Sequence, residues 1–306
     1  MNRQPEETSF LSGLPGDSDT YGNYVSVLER LPEMKALYRE RGWPQSVCEA
    51  TFGDLELWAN EHQENTGVFG ISAHLLDWFN LHLHGEIVRL GRLQFNTDSI
   101  FGGYVKVFRN RTDGERCIIC NGGLSIDADG LRSHDANGWF TTFAESAEKT
   151  EGNQVEKDGR IKREITNLPA AEWYHELAYG APMINIHIPA GEPLTRESCI
   201  ASLNQAVEFF AEHLPDFKWK GFYCHAWLLD PVLQELLPED SKIIQFQKLG
   251  HLYPVGGETE TIRRVFGNSG IKGTSNPNRM QKKLAEFISA GGVVHNGGMF
   301  IMKDEI

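Results

Sequence analysis

The stretch MINIHIPAGEPLTRESCIASLNQAVEFFAEHLP, residues 183–215, decides the fold class of this chain. Its start, Met183 to Ile188, is mostly apolar and has the length of a buried strand. Thr195 can cap the helix that follows, whose apolar residues recur at three- and four-residue steps until Pro215. A second apolar run, residues 221–229, comes next. Two strands joined by an amphipathic helix should lie parallel with a right-handed crossover, so this unit predicts an α/β protein.

The residues before this unit change from a helical to a strand pattern. From residue 24 to about residue 85 the apolar side chains recur at helical spacing, which predicts a helical N-terminal lobe. Apolar runs then predict strands at residues 87–95, 104–108 and 116–120. An Asp-Gly pair between the last two runs is typical of a hairpin turn. The Glu- and Lys-rich residues 145–162 are expected to form a loop or linker.

The residues after this unit repeat the alternation less regularly. The pattern predicts strands at residues 243–252 and 293–302, and helices at residues 259–266 and 280–290. The predicted fold class is therefore α/β (α+β), with a helical N-terminal lobe and a mixed, mostly antiparallel sheet.

Composition bears on location and partners. The formal net charge of −13 opposes the phosphate backbone of nucleic acid, and no basic stripe offsets it, so no nucleic-acid partner is expected. The apolar runs fall short of the about 20 residues that a membrane helix requires, so no membrane partner is expected either. Residues 1–20 lack the pattern of a signal peptide. The five cysteines are odd in number and scattered, which favours reduced thiols and a cytoplasmic location.

Three segments carry a resemblance to a known family. They are HLHGEIVRLGRLQF (82–95), INIHIPAGEPLTRESCIASLNQAVEFF (184–210) and FYCHAWLLDPVLQELLPEDSKIIQFQ (222–247). Together they resemble the bacterial acyltransferases of the GNAT superfamily that join an N-acyltransferase N-terminal domain to a GNAT-like C-terminal domain. The resemblance implies a flexible N-terminus at residues 1–22, the first domain at 23–150 and the second at 151–306.

The resemblance also implies an activity. In a GNAT (acyl-CoA N-acyltransferase) core the strands at residues 183–188 and 221–226 splay apart, and acyl-CoA or acetyl-CoA lies between them as co-substrate. The expected reaction transfers the acyl group to an amine-type, small-molecule acceptor by direct attack, without a metal. Main-chain N–H groups of a splayed strand can bind the developing oxyanion. The implied cofactor-binding residues are Ile186, Ile188, Gly191, Thr195 and Arg196.

The loop before the helix departs from the superfamily pattern. Residues 189–196 stand where Arg or Gln followed by x-x-Gly-x-Gly or Ala usually binds the pyrophosphate. A helix N-terminus attracts anions and Arg196 adds positive charge, whereas Glu192 repels a phosphate. The departure favours an alternative, in which the chain is a catalytically silent protein that binds a ligand or serves as a scaffold.

Three side chains are candidates for catalysis. His187 shares one strand face with Asn185 and can act as a general base, or it can be hydrogen-bonded for purely structural reasons. Glu192 is the alternative base, acting through a water, or a solvated residue before a helix. Tyr223 can reprotonate the departing thiolate, or pack in the core as a strand aromatic.

Two polar residues of RLGRLQF are candidates for substrate binding. Arg92 and Gln94 lie two residues apart, and hence on one strand face, beside a glycine where main chain can approach a ligand. The alternative is an interdomain salt bridge. Cys117 and Cys120 form a C-x-x-C pair, but no second ligand pair accompanies it, so a hairpin is favoured over a zinc site. Cys224 can act as a nucleophile only with a distant base.

Overall fold

The computed structural model describes residues 19–133, 138–255, 259–267 and 270–306. Main-chain contacts divide the chain into two units. Unit 1 comprises the residues up to Leu90 together with Pro189–Gly191, and unit 2 comprises Gly91–Ile188 and Glu192–Ile306. The flexible N-terminus expected at residues 1–22 lies outside the described residues as far as residue 18. The domain division expected at residue 150 stays a prediction.

Unit 1 is helical, as its apolar periodicity predicts. Its helices are α1 (Thr20–Leu28), α2 (Leu31–Glu40), α3 (Gln45–Phe52), α4 (Asp54–Thr66) and α5 (Leu76–Leu83), followed by strand β1 (Ile87–Leu90). The side chains of Met34, Tyr38 and Leu55 fill its interior and are almost fully buried. Gly67, in the left-handed conformation at φ 79°, ends α4, because glycine carries no Cβ to oppose that conformation.

A buried polar cluster, the Asp54 cluster, lies inside unit 1. It consists of Asp54, Trp58, Trp78 and His82. Both indole N–H groups donate to Asp54 Oδ2 at 3.1 Å. His82 Nε2 lies 3.3 Å from the same oxygen, while its Nδ1 donates to the main-chain oxygen of Trp78 at 2.9 Å. Asp54 and His82 are each 1% exposed, so water contributes little to their solvation.

Unit 2 contains an antiparallel meander. After β2 (Leu93–Asn96), its strands are β3 (Val105–Asn110), β4 (Arg116–Cys120), β5 (Ser125–Ile126), β6 (Trp139–Phe140), β7 (Phe143–Glu145), β8 (Lys149–Val155), β9 (Ile161–Pro169) and β10 (Trp173–Leu177). One sheet has the order β10-β3-β4-β8-β7, with β9 paired to β8. The predicted hairpin is confirmed, since β3 and β4 pair antiparallel on either side of the Asp-Gly turn.

The prediction of a loop or linker at residues 145–162 is wrong. Strand β8 occupies the centre of this segment, at Lys149–Val155, and pairs with β9 from Lys149–Pro169 to Val155–Ile161. Polar residues dominate because one face meets solvent and because the buried Asn153 replaces an apolar residue. The Asn153 amide donates to the main-chain oxygens of Lys162 and Arg163.

The second sheet of unit 2 includes the two strands of the predicted strand–helix–strand unit at residues 183–229. Its remaining strands are β11 (Ile184–His187), β12 (Gly221–Ala226), β13 (His251–Pro254) and β14 (Gly297–Met302), in the order β2-β11-β12-β14-β13. The helices are α6 (Arg196–His213), α7 (Leu233–Leu236), α8 (Lys242–Gln247), α9 (Thr259–Phe266), α10 (Gly270–Gly273) and α11 (Arg279–Ser289). As predicted, β11 and β12 are parallel and joined by α6. The expected α/β fold class is thus confirmed.

The strand expected at residues 243–252 is wrong over its first half. Residues Lys242–Gln247 form helix α8, and Ser241 caps it by accepting a hydrogen bond from the Ile244 N–H. A short apolar run fits a strand and a buried helical turn equally well, and here the cap decides between them. The strand β13 begins only at His251.

Candidate active site

The ladder between β11 and β12 is short. The two parallel strands pair at Ile184–Phe222 and at Asn185–Tyr223, and beyond that point no register pair joins them. Each strand nevertheless continues on its other edge. β11 pairs with β2 as far as His187–Gln94, and β12 pairs with β14 along its whole length.

The region past this last pair, between the ends of β11 and β12, is called here the opening. Past Tyr223 each strand is held by its outer neighbour instead of by the other strand. The main-chain edges that face each other there carry N–H and C=O groups outside the ladder. This arrangement agrees with the divergence that the resemblance implies, and it excludes pairing along the full length of the two strands.

One face of the sheet brings polar side chains to this opening. Residues paired in register point to the same face, and side chains two apart on a strand share it. The face so defined, called here the polar face, carries Gln94, Asn96, Asn185, His187, Tyr223 and His225. The opposite face is apolar, with Phe95 and Phe222 in ring contact at 5.5 Å.

His187 is half-buried on the polar face. Its Nε2 lies 2.7 Å from Asn96 Oδ1, which can only accept, and 3.4 Å from the amide nitrogen of Asn185, which can only donate. The shorter contact favours the tautomer in which Nε2 carries the proton. The basic lone pair is then on Nδ1.

Tyr223 lies at the last ladder pair and is 8% exposed. Burial raises the pKa of its phenol to about 12, so the hydroxyl keeps its proton at neutral pH. The ring also packs edge-on against Phe101 at 5.7 Å. Tyr223 is therefore a core aromatic and, because it stays protonated, a hydrogen-bond donor as well.

The loop before α6 holds the other predicted residues. Thr195 caps α6 by accepting from the Ser198 N–H at 3.2 Å, as the sequence predicts. Glu192 and Arg196 are exposed. Gly191 has φ 101°, a conformation that a side chain would strain.

Gln94 and Arg92 differ in position. Gln94 lies opposite His187 in the antiparallel pair of β2 with β11 and is 1% exposed. Arg92 lies in the turn that precedes β2 and is 6% exposed. Its charge acts on the Cys199 thiol of α6, whose pKa is raised to about 11 by burial and lowered in smaller measure by Arg92. Gln94 thus belongs to the polar face, whereas Arg92 lies near α6.

The sequence pattern did not predict the pairing of His225 with Tyr253. His225 Nε2 lies 2.7 Å from the hydroxyl of Tyr253, which is fully buried on β13. The period of two, which places His225 on the face of Tyr223, is a signal that the sequence already contains. Tyr253 gives no such signal, since its position depends on β14 lying between β12 and β13.

The cysteines are all buried and reduced. Burial raises the pKa of Cys117, Cys120 and Cys224 to about 12, so each remains a thiol at neutral pH. A thiol is a weak nucleophile and a poor metal ligand compared with a thiolate. A cysteine-dependent hydrolase is therefore disfavoured.

Three further observations concern the described residues. They contain no group of three or more His, Cys, Asp or Glu side chains that could hold a metal ion. None of their helices combines the length and the apolar character needed to cross a bilayer. A recess of ≈ 670 Å³ is lined by Arg116, Lys162, His251 and Glu305 among others, and it includes none of the predicted site residues.

The sequence also matches described families. Residues 87–300 match the GNAT-like C-terminal domain, and residues 5–85 match the N-acyltransferase N-terminal domain. The first match covers more than half of the chain, so the chain belongs to the family of proteins with a GNAT-like C-terminal domain. The recognition made from the three segments is confirmed. No curated protein sequence matches the chain.

Solved structures share the fold. An acyltransferase in complex with decanoyl-CoA and teicoplanin is 21% identical, with a TM-score of 0.59 over 90% of this chain and 64% of that one. One in complex with decanoyl-CoA is 21% identical, with a TM-score of 0.60 over 94% and 67%. A mutant acyltransferase in complex with octanoyl-CoA is 20% identical, with a TM-score of 0.61 over 93% and 67%. This chain thus spans between 64% and 67% of their length, and the likeness establishes the shared fold.

Proposed function

We propose that this protein transfers an acyl group from acyl-CoA to an amine-type acceptor by direct attack. The observation that carries the proposal is the end of the β11–β12 ladder after Asn185–Tyr223. An opening between parallel strands presents main-chain donors and acceptors that can pair with the amides of pantetheine. The same N–H groups can stabilise the oxyanion that forms when the acyl carbon is attacked.

The main chain near Ile186 and Ile188 would line the thioester side of the opening. The pyrophosphate would lie at the start of α6, where first-turn N–H groups and the exposed Arg196 attract an anion. Thr195 fixes that helix start through its cap. Gly191 leaves room in the loop, while Glu192 lowers the affinity for phosphate.

The chemistry would fall to side chains on the polar face. His187 removes the proton of the attacking amine through Nδ1, since Nε2 is bonded to Asn96. Glu192 is the alternative base through a water. Tyr223 donates to the departing thiolate, a role consistent with a pKa of about 12 that keeps it protonated.

The acceptor would contact Gln94, which lies beside His187, while Arg92 would bind a carboxylate or amide of the acceptor from the turn before β2. Both are buried, so a polar group of the acceptor would meet them away from bulk water. One solved structure of similar fold contains teicoplanin with decanoyl-CoA, and another contains 10C-teicoplanin with CoA, which makes teicoplanin a rational member of an acceptor panel.

Binding is the first test. Calorimetry with CoA, acetyl-CoA, octanoyl-CoA and decanoyl-CoA should show saturable binding to the full chain. Arg196→Gln should weaken it, whereas Glu192→Gln should strengthen it because a carboxylate next to the phosphates is removed. Failure of the wild-type protein to bind any of these thioesters would contradict the proposal.

Turnover is the second test. Each thioester is incubated with a panel of amines that includes teicoplanin, and mass spectrometry detects an amine that has gained the acyl group. The expected result is acylated product that depends on His187. The matched control is His213→Ala. His213 is the last residue of α6, and this variant should transfer the acyl group at the wild-type rate.

A second candidate function is ligand binding without catalysis. The departure of residues 189–196 from the usual pyrophosphate loop favours it. Saturable binding of acyl-CoA with no acyl transfer to any amine would support this function over the first.

A further inference from the structure

His225 is exposed on an interior strand. β12 lies between β11 and β14, and its residues Gly221 to Cys224 are all buried, yet the next residue, His225, reaches solvent. On an inner strand such exposure indicates that the layer covering this face ends there. His225 lies two residues past Tyr223, the last residue that pairs with β11. It therefore lines the opening, on the same face as His187.

The bond to Tyr253 has a defined direction. The Tyr253 side chain is fully buried, and the described residues provide its hydroxyl with no partner other than His225 Nε2 at 2.7 Å. A buried hydroxyl that finds no acceptor for its proton destabilises the fold. The hydroxyl therefore donates to Nε2.

This direction fixes the tautomer of His225. Because Nε2 accepts, the ring proton is on Nδ1. Neighbouring side chains that displace water lower the pKa of His225 to about 4 although the residue reaches solvent, and burial raises the pKa of Tyr253 well above its usual range. Both groups are neutral at pH 7. Within the described part of the chain, Nδ1 has no hydrogen-bond partner.

We propose that the Nδ1–H of His225 donates a hydrogen bond to the carbonyl oxygen of the acyl thioester in the opening between β11 and β12. Tyr253 is a positioning residue, because it holds the proton on Nδ1. This inference rests on the proposed acyl transfer and assigns a further catalytic residue to it.

The hydrogen bond would strengthen as the reaction proceeds. When the amine nitrogen bonds to the acyl carbon, the C=O π electrons move to the oxygen, and the amine proton passes to His187. The electrons return when the C–S bond breaks and CoA leaves as thiolate. A donor fixed on the oxygen stabilises the charge at the point where it is largest. A neutral ring does so without giving up its proton.

Two substitutions separate the two ring nitrogens. The amide nitrogen of asparagine takes roughly the place of Nδ1, whereas that of glutamine takes the place of Nε2. His225→Asn should keep kcat within about tenfold of wild type, while His225→Gln and His225→Ala should lower it about 10²–10³-fold. Acyl-CoA binding should change little in all three, because the donor acts mainly on the transition state. His213→Ala serves as the control.

Two spectroscopic measurements do not depend on turnover. ¹⁵N NMR of the free protein should show His225 protonated at Nδ1, and Tyr253→Phe should yield a mixture of tautomers. With bound acyl-CoA labelled at the carbonyl carbon, the infrared carbonyl band should lie at lower frequency in the wild-type protein than in His225→Ala.

The outcomes distinguish this inference from the proposed function. Wild-type kcat in both His225→Gln and His225→Ala, or an Nε2-protonated ring in the free protein, would overturn the role of His225 and leave acyl transfer standing. A wild-type protein that binds no acyl-CoA would overturn both. Thermal unfolding of each variant identifies one that fails to fold, in which case His225→Asn and the NMR tautomer decide.

Discussion

The Asp54 cluster and the polar face each place a histidine beside aromatic residues, but they do so differently. In the Asp54 cluster both nitrogens of His82 are engaged, one by Asp54 and one by a main-chain oxygen. On the polar face His225 has one nitrogen bonded to Tyr253, and its other nitrogen has no partner within the described residues. The first histidine is almost fully buried, and the second reaches solvent.

The difference separates two uses of a polar side chain. A group whose donors and acceptors are engaged inside the fold can specify packing, and its loss is felt as instability. A group that is fixed at one atom and open at another is prepared for a ligand. We therefore expect substitutions in the Asp54 cluster to change the free energy of unfolding, and substitutions on the polar face to change catalysis.

The largest effect is expected for His187→Ala. Removal of a general base lowers the rate by about 10²–10⁴-fold, so acyl transfer should nearly vanish. Acyl-CoA binding by calorimetry and the circular dichroism spectrum should stay as in the wild-type protein. A variant that transfers the acyl group at the wild-type rate would remove His187 from the mechanism.

Asp54→Ala should have the next largest effect, on stability. It removes the common acceptor of two indole N–H groups and the partner of His82, and each buried donor left unsatisfied costs about 1–3 kcal/mol. Urea unfolding measures the loss. The control is Trp58→Phe, which removes one donor and should cost about 1 kcal/mol. Equal losses in the two variants would mean that Asp54 is not the centre of the cluster.

Asn96→Ala should have a smaller effect, on catalysis. It removes the bond that fixes the proton of His187, and a neutral hydrogen bond contributes about 0.5–1.5 kcal/mol, so kcat should fall about two- to tenfold. The pH profile of kcat should shift as well, which a purely structural role would not produce. An unchanged profile would show that Asn96 does not orient His187.

The smallest effect concerns pH and stability, because solvent screens the exposed His225 and reduces its contribution. The pKa of His225 is about 4 in the folded protein and about 6.5 in an unfolded chain. The unfolded chain therefore binds this proton more readily below pH 6.5, and the contribution of the neutral ring to stability, complete above pH 6.5, is lost as the pH falls towards 4.

Urea unfolding at pH 7 and at pH 4.5 measures this loss. His225→Asn should lose less stability between the two pH values than the wild-type protein, because asparagine does not titrate. Identical pH dependence in the two proteins would show that the pKa of His225 is not lowered in the folded protein.

Local patterns predicted the strand, helix and strand of residues 183–229 because α6 is long and capped and because each strand lies in a short, mostly apolar run. The cap residue Thr195 predicted the helix start, and the Asp-Gly turn predicted the hairpin of β3 and β4. Strand β8 was not predicted, because its buried Asn153 donates hydrogen bonds to main-chain oxygens of β9, and the sequence alone does not show that these groups are close. Side-chain identity identifies a strand only when the buried face is apolar.

The candidate site was predictable in part. The period of two placed His187 on a polar face, and the structure brings Gln94 and Tyr223 to that same face. The pairing of His225 with Tyr253 joins residues that are 28 positions apart and lie on strands separated by a third. No local pattern encodes such a contact. Which part of a face reaches solvent also depends on the surrounding layers.

The unequal strand pairing on the two sides of the opening has a mechanical consequence. β12 has register pairs with β14 along all of its residues, from Gly221–Met302 to Ala226–Gly297, whereas the pairing of β11 with β2 is confined to Ile186–Phe95 and His187–Gln94. The opening therefore has one firmly paired edge, β12, and one less firmly paired edge, β11. Amide hydrogen exchange should be slower along the first. In the proposed reaction, displacement of β11 would accommodate acyl chains of different width, while His225 on β12 keeps its place.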